Sequence, residues 1–322
     1  MKIAVLALDN AFDTGLAAVL DTLGTANELA ALQGRAAPPF DVNIVGLKRQ
    51  IRTAQGMRLT VGRIADAERP DWLVLPAIAT KMPGALTQAL AQRDVQSTAA
   101  PLRDWHGAGV RIAAACIGTF VLAESGLLAG HDATTSWWLG PLFRQRYPDV
   151  RLDESRMLVP SREFTTAGAA IGHMDLALWL VRQASPELAA VTARYLIVDA
   201  RPSQAPYVIP DHLAHADPLV GRFERWARGR LARGFSLDDA AGALATSKRT
   251  LQRRIEAVLG KSPLSYFQDL RVEQAVHLLK TSRDDVQRIA EQVGYADGVT
   301  LRTLLRRRLG RGIKEIRGAR AG

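Results

Sequence analysis

Apolar and polar positions follow two different periods along this 322-residue chain, and the change of period divides it. In the first two-thirds, short apolar runs recur at Lys2–Leu8, Val42–Leu47, Trp72–Leu75 and Val110–Ala115. Unbroken runs of that length are the pattern of strands buried on both faces. Between them, Thr14–Leu32 and Ala85–Gln92 read as helices. Asp175–Gln183 reads as another, with Leu176, Leu178, Leu180 and Val181 apolar. Strand alternating with helix predicts an α/β sandwich, flavodoxin-like, with a mostly parallel sheet. No glycine-rich fingerprint or P-loop follows any strand, so no nucleotide cofactor is expected.

The last third repeats itself with a helical period. Leu237, Ala240, Ala241 and Leu244 return as Val286, Ile289, Ala290 and Val293, while Leu251, Ile255, Leu259 and Gly260 return as Leu301, Leu305, Leu309 and Gly310. The offset grows by one between the two sets, which puts the extra residue in a turn. Each copy is then helix, turn, helix, so the chain is expected to end in an all-α domain with two helix-turn-helix motifs. Ser236 precedes Asp238 and Asp239 as an N-cap before acids that suit a helix start, and Ser247 is placed to cap the second helix. On that helix Leu251, Ile255 and Leu259 mark the core side. Ser247, Lys248, Arg249, Gln252 and Arg253 are left for solvent or a major groove. In the second copy Val299, Arg302, Thr303 and Arg306 form the corresponding stripe. These residue types suit base edges: Arg bonds guanine bidentately, Gln bonds adenine, and Thr or Val methyls meet thymine.

Charge sharpens the division. Net charge is +10, yet residues 1–210 carry only +1 and residues 211–322 carry +9. A basic domain attracts polyanions, because neutralised phosphates release condensed counterions. Pro202, Pro206, Pro210 and Pro218 mark an extended connector, which predicts domains at 1–200 and 219–322 joined by a linker at 201–218. One cysteine excludes an intrachain disulfide framework and a multi-cysteine zinc site, and no metal or other cofactor is expected. No apolar run reaches membrane-spanning length, and Asp9 and Asp13 interrupt any signal-like start, so a cytoplasmic protein without a membrane partner is expected.

Candidate chemistry in the first region centres on Cys116. It ends the run Val110–Ala115 and precedes Ile117-Gly118-Thr119-Phe120, which opens a helix through Glu124. A strand turning sharply into a helix is the geometry of a nucleophile elbow, at the sheet edge where open α/β folds bind ligands. A helix amino terminus there is expected to lower the thiol pKa. Together with Leu122–Gly130, Ala133–Trp137 and Thr165–Gly168, this run resembles the PfpI-type, class I glutamine-amidotransferase-like domain. More narrowly, it resembles the version fused to AraC-type domains in the GlxA group of regulators. Catalytic relatives commonly place His after the cysteine, where Ile117 stands here, and the regulator pattern often has His where Ser136 stands. The resemblance therefore implies a non-catalytic ligand pocket, with Cys116, Ile117, Gly118, Asp9, Asp13 and Trp137 as its candidates. A Cys116-dependent hydrolase or amidase with an attached DNA-binding domain is the alternative. Trp137 and Trp138 are either core indoles or part of a site for a cationic amine or amino acid.

The carboxy-terminal motifs Ser236–Ala241, Ser247–Arg254, Gly260–Pro263, Tyr266–Arg271, Ala275–Leu279 and Ile289–Tyr295 resemble the AraC/XylS family. That resemblance implies a transcription regulator on a double-stranded DNA operator, a homodimer, and RNA polymerase as a possible partner. Leu301, Leu305 and Ile313 depart from the family's aromatic, aromatic and proline, which leaves the packing of the second motif open.

Overall fold

The computed structural model describes residues 1–199, 201, 203, 204, 207, 217–309 and 312–318. It divides into two compact units, Met1–Gln204 and Ala205–Gly322. Most of the 201–218 stretch expected to be a connector lies outside the described residues, including Pro202, Pro206 and Pro210, as does Gly310. Arg201, Ser203 and Gln204 are bonded into the first unit: Arg201 pairs with Asp175, and the other two lie against Ser155.

The first unit runs β1 (Lys2–Leu6), α1 (Asp13–Leu32), β2 (Asp41–Gly46), β3 (Gln50–Arg52), β4 (Arg58–Thr60), β5 (Gly62–Arg63), β6 (Trp72–Leu75), α2 (Pro83–Leu90), α3 (Arg93–Gln96), α4 (Ala99–Gly107) and β7 (Arg111–Ala115). It continues with α5 (Gly118–Glu124), β8 (Asp132–Ala133), α6 (Gly140–Arg146), β9 (Arg151–Leu152), β10 (Leu158–Ser161), β11 (Phe164–Ala167), α7 (Gly172–Ala184) and α8 (Pro186–Tyr195). Seven strands form one sheet in the order β10-β11-β7-β6-β1-β2-β5. Within this sheet the β10–β11 pair alone is antiparallel among the described residues, so the mostly parallel sandwich expected from the apolar runs is the fold found.

Strand alternation supplies two cores. Leu73, Leu75, Ile112 and Ala114 face Leu86, Leu102, Trp105 and Phe120, while Val5, Val74, Ala113 and Ala115 face Leu16, Val19, Leu176 and Leu180. The sheet is thus dry on both sides, which is why its strands read as continuous rather than alternating runs.

The second unit contains α9 (Pro218–Arg228), a 3₁₀ turn at Leu231–Arg233, α10 (Leu237–Ala243), α11 (Lys248–Leu259), α12 (Pro263–Thr281), α13 (Val286–Gln292), α14 (Gly298–Leu309) and α15 (Ile313–Gly318). The two motifs are α10–α11 and α13–α14, joined by α12. Ser236 caps α10 by accepting from the Asp239 amide, and Ser247 caps α11 by accepting from the Thr250 amide. Leu251 and Ile255 are fully buried, as are Leu301 and Leu305. The leucines that replace family aromatics join Val272, Ala275, Ile289 and Ile316 in one apolar cluster, with Ile313 packed on its margin. Among the described residues, no helix is long and apolar enough to cross a membrane.

Candidate functional site

Cys116 stands at the carboxyl edge of the central sheet, between β7 and α5. Its backbone is left-handed, with φ 57°, a conformation uncommon for a residue with a Cβ. Three long-range contacts hold it. The Cys116 amide donates to Ala167 O at 2.8 Å, Thr135 Oγ1 donates to Cys116 O at 2.7 Å, and Sγ lies 2.9 Å from Ser136 Oγ. The turn also needs Gly118, because a Cβ there would stand 2.2 Å from the Leu75 carbonyl oxygen at the end of β6. The strand-turn-helix elbow is therefore present.

Its electrostatics differ from the sequence expectation. Cys116 is only 5% exposed, and burial raises its thiol pKa more than Ser136, the Ile117 amide and the nearby Lys81 charge lower it. Desolvation outweighs the short helix α5, so a lowered pKa is corrected to a raised one. Ser136 is its side-chain partner, and among the described residues no histidine is bonded to it. His173 is instead buried between two backbone groups, accepting from the Ala77 amide at 3.0 Å through Nε2 and donating to Ala170 O at 2.7 Å through Nδ1. Burial lowers its pKa to about 4, so it stays neutral. His106 and His131 lie against the Phe164 ring.

The other pocket candidates fall into two groups. Ile117, Gly118 and Trp137 are buried beside Cys116, and Trp137 at 8% exposure meets Trp138 edge-on, with the ring planes at 82°. The Trp138 Nε1 donates to Lys81 O at 3.2 Å. Asp9 and Asp13 gather instead around the loop after β3. Asp9 accepts from the Arg52 amide and from Lys48, and the Arg52 amide, ahead of the opposing cost of burial, leads in holding its carboxyl below the usual range. Asp13 accepts from the Gln55 amide through Oδ2, and the Thr53 hydroxyl, ahead of the opposing cost of burial, leads in holding its carboxyl below the usual range. No hydrogen bond among the described residues joins either carboxylate to Cys116.

Sequence reasoning missed the polar wall behind this elbow. Gln204, 1% exposed, donates through Nε2 to Thr134 Oγ1, Thr135 O and Arg156 O, and accepts from the Trp137 amide at 3.3 Å. The run Thr134-Thr135-Ser136 of hydroxyls was the available signal for one side of the contact. Nothing local marked Gln204.

In the second unit the helix-turn-helix stripes are laid out on solvent. Ser247, Lys248, Arg249, Gln252 and Arg253 are exposed on α11 and the turn before it, and Val299 (65% exposed), Arg302, Thr303 and Arg306 are exposed on α14. Lys248 is paired with Asp238, and Gln252 bonds Glu256. Many of the unit's other cations are engaged: Arg228 with Glu224 and Glu273, Arg254 with Asp217, Lys261 and Arg308 with Asp269. Arg249, Arg253, Arg302 and Arg306 make no such bond among the described residues. Unpaired guanidinium groups on two repeated helices are free to meet phosphates and guanine edges without first breaking an ion pair.

Two helix-turn-helix motifs on one basic unit, preceded by an α/β sandwich, define a DNA-binding protein with an appended second domain. The model of the family described as "Helix-turn-helix domain" matches residues 240–319. The HTH-type transcriptional regulator GbdR of Pseudomonas aeruginosa is 25% identical over 299 residues, covering 91% of this chain and 78% of that protein. Two solved structures share the fold. An AraC family transcriptional regulator from Pseudomonas putida has a TM-score of 0.51 at 20% identity, covering 61% of this chain and 98% of that one. A ThiJ/PfpI family protein from Pseudomonas syringae has a TM-score of 0.50 at 16% identity, covering 83% and 90%. The carboxy-terminal domain is an AraC-type DNA-binding domain, the amino-terminal domain has the PfpI-type fold, and the chain is a DNA-binding transcription regulator.

Proposed function

We propose that the second unit reads a double-stranded operator through α11 and α14, that the first unit, which runs through Gln204, binds a small effector, and that residues 205–216 connect them. The observation that carries the DNA reading is the set of unpaired arginines, Arg249, Arg253, Arg302 and Arg306, on matching faces of the two repeats. Ser247, Lys248, Gln252, Val299 and Thr303 complete those faces. Loss of a base-reading arginine relaxes one operator position, whereas loss of a phosphate contact weakens all sequences alike.

The effector is a small amino acid in preference to a simple cationic amine. Lys81 lies near enough to Cys116 to influence its thiol and offers a partner for a carboxylate, while the Asp13 carboxylate, held below its usual pKa range by the Thr53 hydroxyl, offers an acceptor for an ammonium. Cys116, Ile117, Gly118, Asp9 and Trp137 form the surroundings. The effector acts through unequal affinity for two states of the protein, and the homodimer and RNA polymerase are the partners of a regulator of this kind, acting in the cytoplasm.

The test uses the full-length protein. Selection from a random-sequence duplex pool is expected to yield a defined site whose binding falls in the four arginine-to-alanine variants. Thermal shifts against single amino acids and quaternary amines are expected to find a stabilising amino acid whose effect is lost in Asp13→Asn. Absence of any stabilising compound makes the first unit a scaffold, and unchanged operator binding in all four arginine variants removes α11 and α14 from the interface.

A further inference from the structure

Each of two side chains on α12 joins a segment flanking the first helix-turn-helix motif to a segment within the second. Arg271 donates through Nε to Leu231 O at 2.9 Å, in the turn that leads into the first motif. The same guanidinium lies 4.9 Å from the centre of the Phe267 ring and 5.3 Å from that of Tyr295, which follows the turn inside the second motif. The approach is close enough to dictate a glycine. Gly294 has φ +82°, and a Cβ on it would stand 2.3 Å from both Arg271 Nη2 and Leu231 O. One planar cation therefore pins the entry to the first motif against the turn of the second.

Asp269 repeats the arrangement two residues earlier. Its Oδ2 accepts from Lys261 Nζ at 2.9 Å, just past the end of α11, and its Oδ1 accepts from Arg308 Nη1 at 2.9 Å, on α14. One carboxylate joins the residue just past the end of α11 to the last turn of α14. Partly exposed ion pairs of this kind add little to stability, about 0–1 kcal/mol. What they fix is geometry. At 19 residues, α12 spans about 28 Å, and without cross-ties the motifs at its two ends could pivot about it.

We propose that Arg271 and Asp269 are positioning residues that set the spacing and phase between α11 and α14, and so determine which operator spacing the protein accepts. The inference rests on the reading of α11 and α14 as the DNA-facing helices. Held rigidly, the second helix finds its half-site at high effective concentration only when the spacer matches. Loosened, it reaches several spacings, and each less well.

The experiment uses the full-length protein and three duplexes: one selected by the wild type from a random-sequence pool, the same site with one base pair inserted between its halves, and the site with one half scrambled. Wild type is expected to favour the selected spacing over the inserted one by about tenfold or more. Arg271→Met and Asp269→Asn are expected to bind the half-scrambled duplex as wild type does, yet to lose most of the preference between the two spacings. Asp269→Asn alters a partly exposed group and decides the matter if Arg271→Met folds poorly. Wild-type spacing preference in Asp269→Asn, or an equal loss on all three duplexes, overturns the proposal. A wild type that selects no sequence overturns the underlying reading of the helices instead.

Discussion

The two units treat their polar groups in opposite ways. Around the sheet edge of the first, polar atoms are turned inward and mostly matched: Cys116 with Ser136, His173 with two backbone groups, Gln204 with three backbone groups and the Thr134 hydroxyl. Along α11 and α14 of the second, the guanidinium groups of Arg249, Arg253, Arg302 and Arg306 are turned outward and left unbonded. A buried polar group without a partner costs about 1–3 kcal/mol, so the first arrangement is fixed by folding itself. An exposed arginine costs folding almost nothing, and its pairing can wait for a partner. The first unit is therefore sensitive to protonation, and the second to loss of charge.

The largest expected effect tests the inward side. Held at about 4, below its usual 6.5, His173 is neutral in the folded protein and takes up a proton more readily when unfolded. Its contribution is complete above about pH 6.5 and is lost as pH falls toward 4, on the order of 3 kcal/mol. Unfolding of the full chain in urea, followed through Trp72 and Trp179, is expected to show the first unit weakening over that window. Among the described residues the second unit holds no buried histidine, since His277 is exposed. A transition of the second unit that moves equally with acid would break the contrast.

Next comes the outward side. Arg302→Ala is expected to lower operator affinity by ~1–3 kcal/mol while leaving the melting temperature nearly unchanged. Lys248→Ala, removing a cation already paired with Asp238, is expected to cost less. Equal losses from the two variants in fluorescence-anisotropy titrations would mean that pairing in the free protein does not grade these contacts.

The smallest effect is expected at Cys116. Cys116→Ser should change stability by about 1 kcal/mol or less and leave operator binding intact. With its thiol pKa raised by burial, native Cys116 should react with iodoacetamide only as the first unit opens. Alkylation of the native protein at the rate of a free thiol would show an accessible, activated cysteine.

Much of this architecture was legible from periodicity. The runs ending at Leu8, Leu47, Leu75 and Ala115 marked β1, β2, β6 and β7 within a residue or two, because a strand covered on both faces has no polar positions to hide it. The short strands β3, β4, β5, β8 and β9 span only 2–3 residues and went unread, being too short to show a period. The elbow at Cys116 was legible, but its acidity was read with the wrong sign. Local sequence shows a helix start, and does not show how completely other segments exclude water from the thiol.

The chain by itself determined the alternation of strand and helix, the repeated motif with its one-residue slip, and the segregation of positive charge, all properties of neighbours within a few turns. Only the tertiary structure decided which groups meet: Ser136 reaches Cys116 from 20 residues away, Leu231 reaches Arg271 from 40, and Thr134 reaches Gln204 from 70. Burial and pairing depend on proximity in space, and residues that far apart leave no shared period along the chain.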